Sequence, residues 1–179
     1  MTGHILTAEA LATPPLITGA IKDPDYAIEG VPDARSVFVA WRRAWELLGP
    51  AVDRFPVETP WTSAAACHAA AIGEAQLWIA YSWKRRRIEG AVFGRILDGP
   101  DLAPNNRVYE CPLVGGDHMG EWGGRMFAMI RDWATAQGCD YLTGFGRVGW
   151  KRLFGFQEFG KTKDGLPVLA LPLKHVKGH

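Results

Sequence analysis

The stretch that most restricts the fold is RVYECPLVGG (107–116), followed at once by DHMGEWGGRMFAMIRDWA (117–134) and then CDYLTGFG (139–146). The first and last segments read as strands bounded by turn signals. Between them Met126, Phe127, Met129, Ile130 and Trp133 fall at helical spacing, so residues 122–137 read as an amphipathic helix with a buried methionine-rich face, ended by Gly138. A helix that carries the chain from one strand to the next normally leaves the two strands parallel. The glycine-punctuated turn HMGEWGG lies between strand and helix, where backbone N–H groups and the helix dipole can be presented to a phosphate.

The rest of the chain fits around that crossover. QLWIAYSW (76–83) and IEGAVFGRIL (88–97) flank KRRR (84–87), which reads as a charged hairpin turn, and with 107–116 they form an antiparallel meander. Upstream, Asp33 is placed to cap a helix whose apolar face includes Val37, Trp41, Trp45 and Leu48 and which Gly49-Pro50 should stop. An alanine-rich helix is expected from Thr62 to about Gly73. Downstream, VGWKRLFG (148–155) reads as a short helix, and FQEFGKT with LPVLALPL as a hairpin turning at KDG (163–165). Residues 1–33, with Pro14, Pro15, Pro24 and Pro32, are expected to form an extended arm with a strand near PLITGAI (15–21), leaving 34–179 as one domain. The expected class is α/β (α+β): a mostly antiparallel twisted sheet with one parallel pair, flanked by helices.

Composition narrows function mainly by exclusion. A formal charge of +1 gives no global field for nucleic acid or an anionic membrane. Cys67, Cys111 and Cys139 are widely spaced and odd in number, which argues against a disulfide scaffold and for a reducing compartment. His4, His68, His175 and His179 share no metal-ligand spacing, so no metal is expected. No run of about 18 apolar residues occurs, so the chain reads as soluble, not secreted and without a membrane span.

Over residues 34–173 this order of elements resembles the GCN5-related N-acetyltransferase fold. The resemblance rests on the turn HMGEWGG, on DWATAQGCDYL leading into the next strand, and on KRLFGFQEFG, which is similar to that family's Y-x-K-x-G-F. It implies that the turn's amides hold the pyrophosphate of acetyl-CoA, making His118, Gly120, Gly123 and Gly124 the cofactor-binding candidates. Two positions depart from the pattern. Registered on Trp133-Ala134, the family's first glycine is Glu121 here. A carboxylate about 4 Å from a phosphate costs about 4 kcal/mol at an effective dielectric of 20. The tyrosine that commonly protonates the departing thiolate is replaced by Lys151. The catalytic candidates are therefore Glu110, or Glu89 through a water, as base, and Tyr141 as the tyrosine nearest the expected cleft.

A narrower resemblance covers some fifty residues. WATAQGCDYLTGFGRVGWKRLFGFQEFG, through Gly138, Cys139, Gly146, Arg147, Gly149, Trp150 and Arg152, is similar to small acetyltransferase-like proteins of tailed-phage virion modules. Together with the altered turn it implies a virion-associated, assembly or ejection-associated protein with no cofactor, found in the virion or host cytoplasm. Its contacts with other virion proteins or DNA would be made by Lys84, Arg85, Arg86, Arg87, Arg147, Trp150 and Arg152. The alternative reading is an acetyl-CoA-dependent N-acetyltransferase acting on a protein, small amine or nucleic acid.

Overall fold

The computed structural model describes residues 25–54, 60–145 and 149–173. Among them, seven strands form one sheet in the order β1-β2-β3-β4-β5-β7-β6. They are β1 (Tyr26–Gly30), β2 (Gln76–Ser82), β3 (Arg87–Asp98), β4 (Arg107–Gly116), β5 (Tyr141–Phe145), β6 (Gln157–Lys161) and β7 (Pro167–Pro172). The helices are α1 (Ala34–Val52), α2 (Ser63–Ala71), α3 (Met119–Ala136) and α4 (Gly149–Phe154). The expected meander β2-β3-β4 is antiparallel, and β4 and β5 are the parallel pair that the α3 crossover requires.

The helix starts follow from local chemistry. The Asp33 carboxylate accepts from the Ser36 amide at 2.9 Å, and Thr62 Oγ1 accepts from Ala65 N at 3.1 Å, each satisfying a donor that a helix start leaves without a partner. α1 runs on through Pro50 to Val52 rather than stopping at Gly49-Pro50, because a proline in the last turn removes only one hydrogen bond of the ladder. α3 begins at Met119, three residues before the expected start. The turn consists of Gly116 and of His118, whose φ of 55° lies in the left-handed region, so Gly120, Gly123 and Gly124 are helical rather than part of a loop. Met129, expected on the buried face, is partly exposed, while Met126 and Ile130 face the sheet.

The end of the proposed arm is a strand. β1 pairs with β2 from Tyr26↔Ser82 to Gly30↔Trp78, and the buried Tyr26 and Ile28 join the core beneath α3. The expected strand at 15–21 lies outside the described residues. One core, on the α1 and α2 face, is built around Trp41, Leu48, Ile79 and Phe93; the other, on the α3 and α4 face, around Trp122, Met126, Phe127 and Trp150. No helix among the described residues is long and apolar enough to cross a membrane.

α1 lies so close to β4 that glycine is obligatory at one point. A Cβ on Gly115 would fall 1.8 Å from the Leu47 carbonyl oxygen, which is backbone and cannot rotate away. At Gly120, by contrast, a Cβ meets nothing within 4 Å. Gly115→Ala should therefore destabilise by about 1–3 kcal/mol or more through overpacking, and Gly120→Ala should stabilise by up to about 1 kcal/mol through helix propensity. Urea unfolding of both variants beside the parent checks this pair of opposite signs.

Candidate functional site

The parallel pairing sets the geometry. β4 and β5 are in register at Val108↔Tyr141, Tyr109↔Leu142, Glu110↔Thr143 and Cys111↔Gly144, and among the described residues the pairing ends there although β4 continues to Gly116. Against β3, the register of β4 shifts between Arg95↔Glu110 and Phe93↔Leu113, so β4 carries an extra residue at Cys111-Pro112. Such a bulge bends the strand and raises its twist. The two strands thus form a fork whose open end leads to the start of α3.

On the α3 face the fork is flanked by aromatic rings. The Trp150 indole crosses Gly144, where a Cβ would be 2.4 Å from its ring, and packs with Phe127, Phe154 and Phe156. Trp150 is buried, and its Nε1–H has no hydrogen-bond partner among the described residues. Leaving a buried donor unpaired costs about 1–3 kcal/mol, so this N–H is conspicuous beside a fork. α4 reaches α3 at Gly123, where a Cβ would lie 2.9 Å from the Phe154 ring.

At the start of α3 the structure assembles a polar cluster that the sequence did not foretell. Glu89, at the start of β3, is fully buried. It accepts from Tyr26 Oη at 2.7 Å, Arg85 Nη1 at 2.9 Å and Arg87 Nε at 3.1 Å, with His118 Nδ1 at 3.4 Å. Glu121 reaches the same group: its carboxylate lies 2.9 Å from Tyr26 Oη and 3.1 Å from Arg85 Nη1. Asp117 completes the set with Arg43 at 3.3 Å and Arg87 at 3.8 Å. Three carboxylates thus face three guanidinium groups. Burial alone would raise the Glu89 pKa, but the hydrogen bonds from Tyr26 and Arg87 and the Arg85 charge outweigh it and hold the carboxyl below its ordinary 4.5. Arg85 and Tyr26 lower Glu121 as well, while burial and the two carboxylates push the Tyr26 hydroxyl far up.

On the opposite face of the sheet lies a cavity of about 480 Å³. Glu110 and Thr143, paired across the parallel strands, lie along it, with the 100–103 loop and β6 to either side. Arg95 Nε donates to Glu110 Oε2 at 3.0 Å, and the Arg95 guanidinium lies 5.0 Å from the centre of the Trp61 ring. Charge and ring together fix the carboxylate's orientation.

These placements sort the candidates. Glu110 lines the cavity, whereas the Tyr141 ring packs tilted against Phe159 at 5.2 Å at the far end of β5 and is not in the lining. Glu89 is enclosed by Tyr26 and arginines, away from the cavity. His118, Gly120 and Gly124 gather at the exposed start of α3, while Gly123 is buried under Phe154. Of the hairpin cations, Arg85 and Arg87 turn inward to the acids, and Lys84 and Arg86 remain exposed. Arg152 is exposed, Trp150 belongs to the core, and Arg147 lies outside the described residues. Tyr26 and Arg95 are functional neighbours that the sequence reading does not contain; Glu89, read there as a base acting through a water, lies instead in the ion-pair cluster.

No protein-family model and no curated protein matches the sequence. Solved structures do. The chain aligns over 84% of its length with all of a chain in the NatC complex bound to Gag peptide and CoA, at a TM-score of 0.60 and 10% identity. It aligns over 83% with all of a Drosophila melanogaster polyamine N-acetyltransferase that forms N-acetylagmatine, at 0.60 and 13%. Over 86% of its length it matches 91% of a Sinorhizobium meliloti phosphinothricin acetyltransferase in complex with AcCoA, at 0.59 and 14%. The fold is that of the GCN5-related N-acetyltransferases. Nothing in these likenesses speaks to a virion role.

The acid cluster makes a signed prediction. A carboxyl held below its ordinary 4.5 contributes stability that is present above that value and lost as pH falls below it. In Glu89→Gln this contribution disappears, so the variant should be about 1–3 kcal/mol less stable at pH 7 and lose less than the parent between pH 5 and pH 3. Chemical denaturation across that range reads the difference in slope.

Proposed function

We propose that this protein is an acyl-CoA-dependent N-acyltransferase. The observation that carries the reading is the fork: β4 and β5 part just beyond Glu110 and Thr143, with the start of α3 at the fork's open end and the Glu110-lined cavity on the other face. The residues present fit the cofactor. The His118 cap leaves the first α3 amides without a side-chain partner, although Glu121 N–H donates to the His118 carbonyl at 2.8 Å; the space over Gly120 and Gly124 is open, and the buried Trp150 N–H beside the fork has no partner among the described residues. Glu121, the apparent obstacle, is paired to Arg85.

Acetyl-CoA supplies an acyl group activated as a thioester. The chain orients the amine in the cavity, and Glu110, steadied by Arg95, takes the proton that nitrogen sheds as the new C–N bond forms and the C–S bond breaks. Backbone N–H groups on the edge of β4 past the bulge have no strand partner from β5 among the described residues and are placed to stabilise negative charge on the carbonyl oxygen. Lys151, standing where the family has tyrosine, is tied to Glu158 at 2.8 Å, so the departing thiolate takes its proton from solvent.

A ligand at a hundredfold excess over its Kd adds about 2.7 kcal/mol, which for a chain of this size raises Tm by about 5–11 °C. Acetyl-CoA should produce that shift, and Gly120→Ala should shrink it while raising Tm without ligand. Glu110→Gln should keep the shift yet lower kcat/KM for amine acetylation by about 10²–10⁴-fold. A parent protein whose Tm is unmoved by millimolar acetyl-CoA would overturn the reading.

A further inference from the structure

Resting on the acyltransferase reading, we infer the class of amine: a primary amine on an apolar, preferably aromatic body that bears no second charge. The walls of the cavity are Leu97, Leu102, Val108, Phe145, Phe159 and Val168. Leu102 and Phe159 stay substantially exposed at its edge, 45% and 38%, an unusual state for large apolar side chains flanking a concave site. Phe159 also packs on Tyr141, so its ring is braced rather than free to collapse into the space.

The charges argue in the same direction. Along the lining the acids are Glu110, Asp101 and Asp164 and the cations Lys161 and Lys163. Asp101 and Lys163 face each other at 3.8 Å and are both about nine-tenths exposed, so they lie in solvent at the rim. Asp164 is exposed too, so among the described residues Glu110 is the one lining carboxylate that is not exposed, and its Arg95 partner is not part of the lining. A polyamine or guanidino-amine would have to lay its chain along apolar walls and leave its second cation at the rim, where Asp101 and Asp164 are exposed and an ion pair in solvent contributes little. An α-amino acid would have to desolvate its carboxylate against apolar walls, where Arg95 already serves Glu110 and the lining cations Lys161 and Lys163 stand exposed at the rim. An amine with an uncharged apolar body meets neither penalty: its nitrogen reaches Glu110 and its body covers the leucines and phenylalanines.

The experiment compares phenethylamine, agmatine and phenylalanine with the full chain, reading binding by ligand-detected NMR without acetyl-CoA and transfer by thiol release with it. Phenethylamine should bind and be acetylated with at least about tenfold higher kcat/KM than either competitor. Leu102→Asp, at an exposed position that the fold tolerates, should move the preference towards agmatine by about tenfold by replacing part of the apolar wall with a further acid beside Asp101. Agmatine or phenylalanine matching phenethylamine, or a ratio unmoved by Leu102→Asp, overturns the substrate class while leaving the acyltransferase intact. Phenethylamine binding that Leu102→Asp weakens, without any transfer, upholds the class and overturns the reaction; no binding and no transfer overturn both.

Discussion

The indole of Trp122 determines where α3 sits, and most of the site follows from that position. The ring is fully buried across Gly90 and Gly116, at points where a Cβ would come within 2.5 and 2.6 Å of it. Its Nε1–H donates to the Asp117 carbonyl at 2.8 Å, tying the helix to the turn that precedes it. A ring held by both shape and a hydrogen bond leaves the first turn of α3 little freedom to slide. Glu121 is thereby brought to Arg85 and Tyr26, and Gly123 to Phe154.

This arrangement changes the electrostatics that the sequence implied. Read alone, Glu121 is an uncompensated acid where a diphosphate would approach, with a repulsion of about 4 kcal/mol at about 4 Å. In the fold a guanidinium nitrogen lies 3.1 Å from its carboxylate, so an approaching anion meets a paired charge whose two contributions largely offset each other. A carboxylate in the first turn also stabilises the helix that carries it. The same pairing weakens the expectation of a basic docking tip at Lys84–Arg87, since Arg85 and Arg87 already serve the acids of the cluster.

The sequence disclosed what depends on local chemistry and hid what depends on distant partners. The meander, the crossover, the Asp33 and Thr62 caps and the last hairpin were all legible from periodicity and turn residues. β1 was not, because YAIEG is a strand only by virtue of its pairing with β2, about fifty residues away. The start of α3 was misplaced because glycines at 120, 123 and 124 read as a loop; the packing of Trp122 and Met126 overrides their poor helix propensity. Glu110 could be named from its strand, but the cavity beside it could not, since one side is the 100–103 loop and the other is β6. Tyr141 reads as the tyrosine nearest the cleft because it opens the strand after α3, and that strand takes its ring to Phe159.

The fork gives the two faces of the sheet different tasks. On one face the start of α3, the Trp150 ring and α4 form a wall suited to a long ligand that enters along the helix. On the other, Glu110 lies in a mostly apolar cavity whose charged residues stand at its rim. A continuous ladder between β4 and β5 would separate these surfaces, because paired backbone leaves no passage through a sheet. Among the described residues the pairing stops at Cys111↔Gly144, one residue past the Glu110↔Thr143 pair, so the break between the two faces adjoins the Glu110 carboxylate. The bulge at Cys111-Pro112 provides that break without unpairing β4 from β3, which keeps the edge of the fork rigid while leaving its other side open.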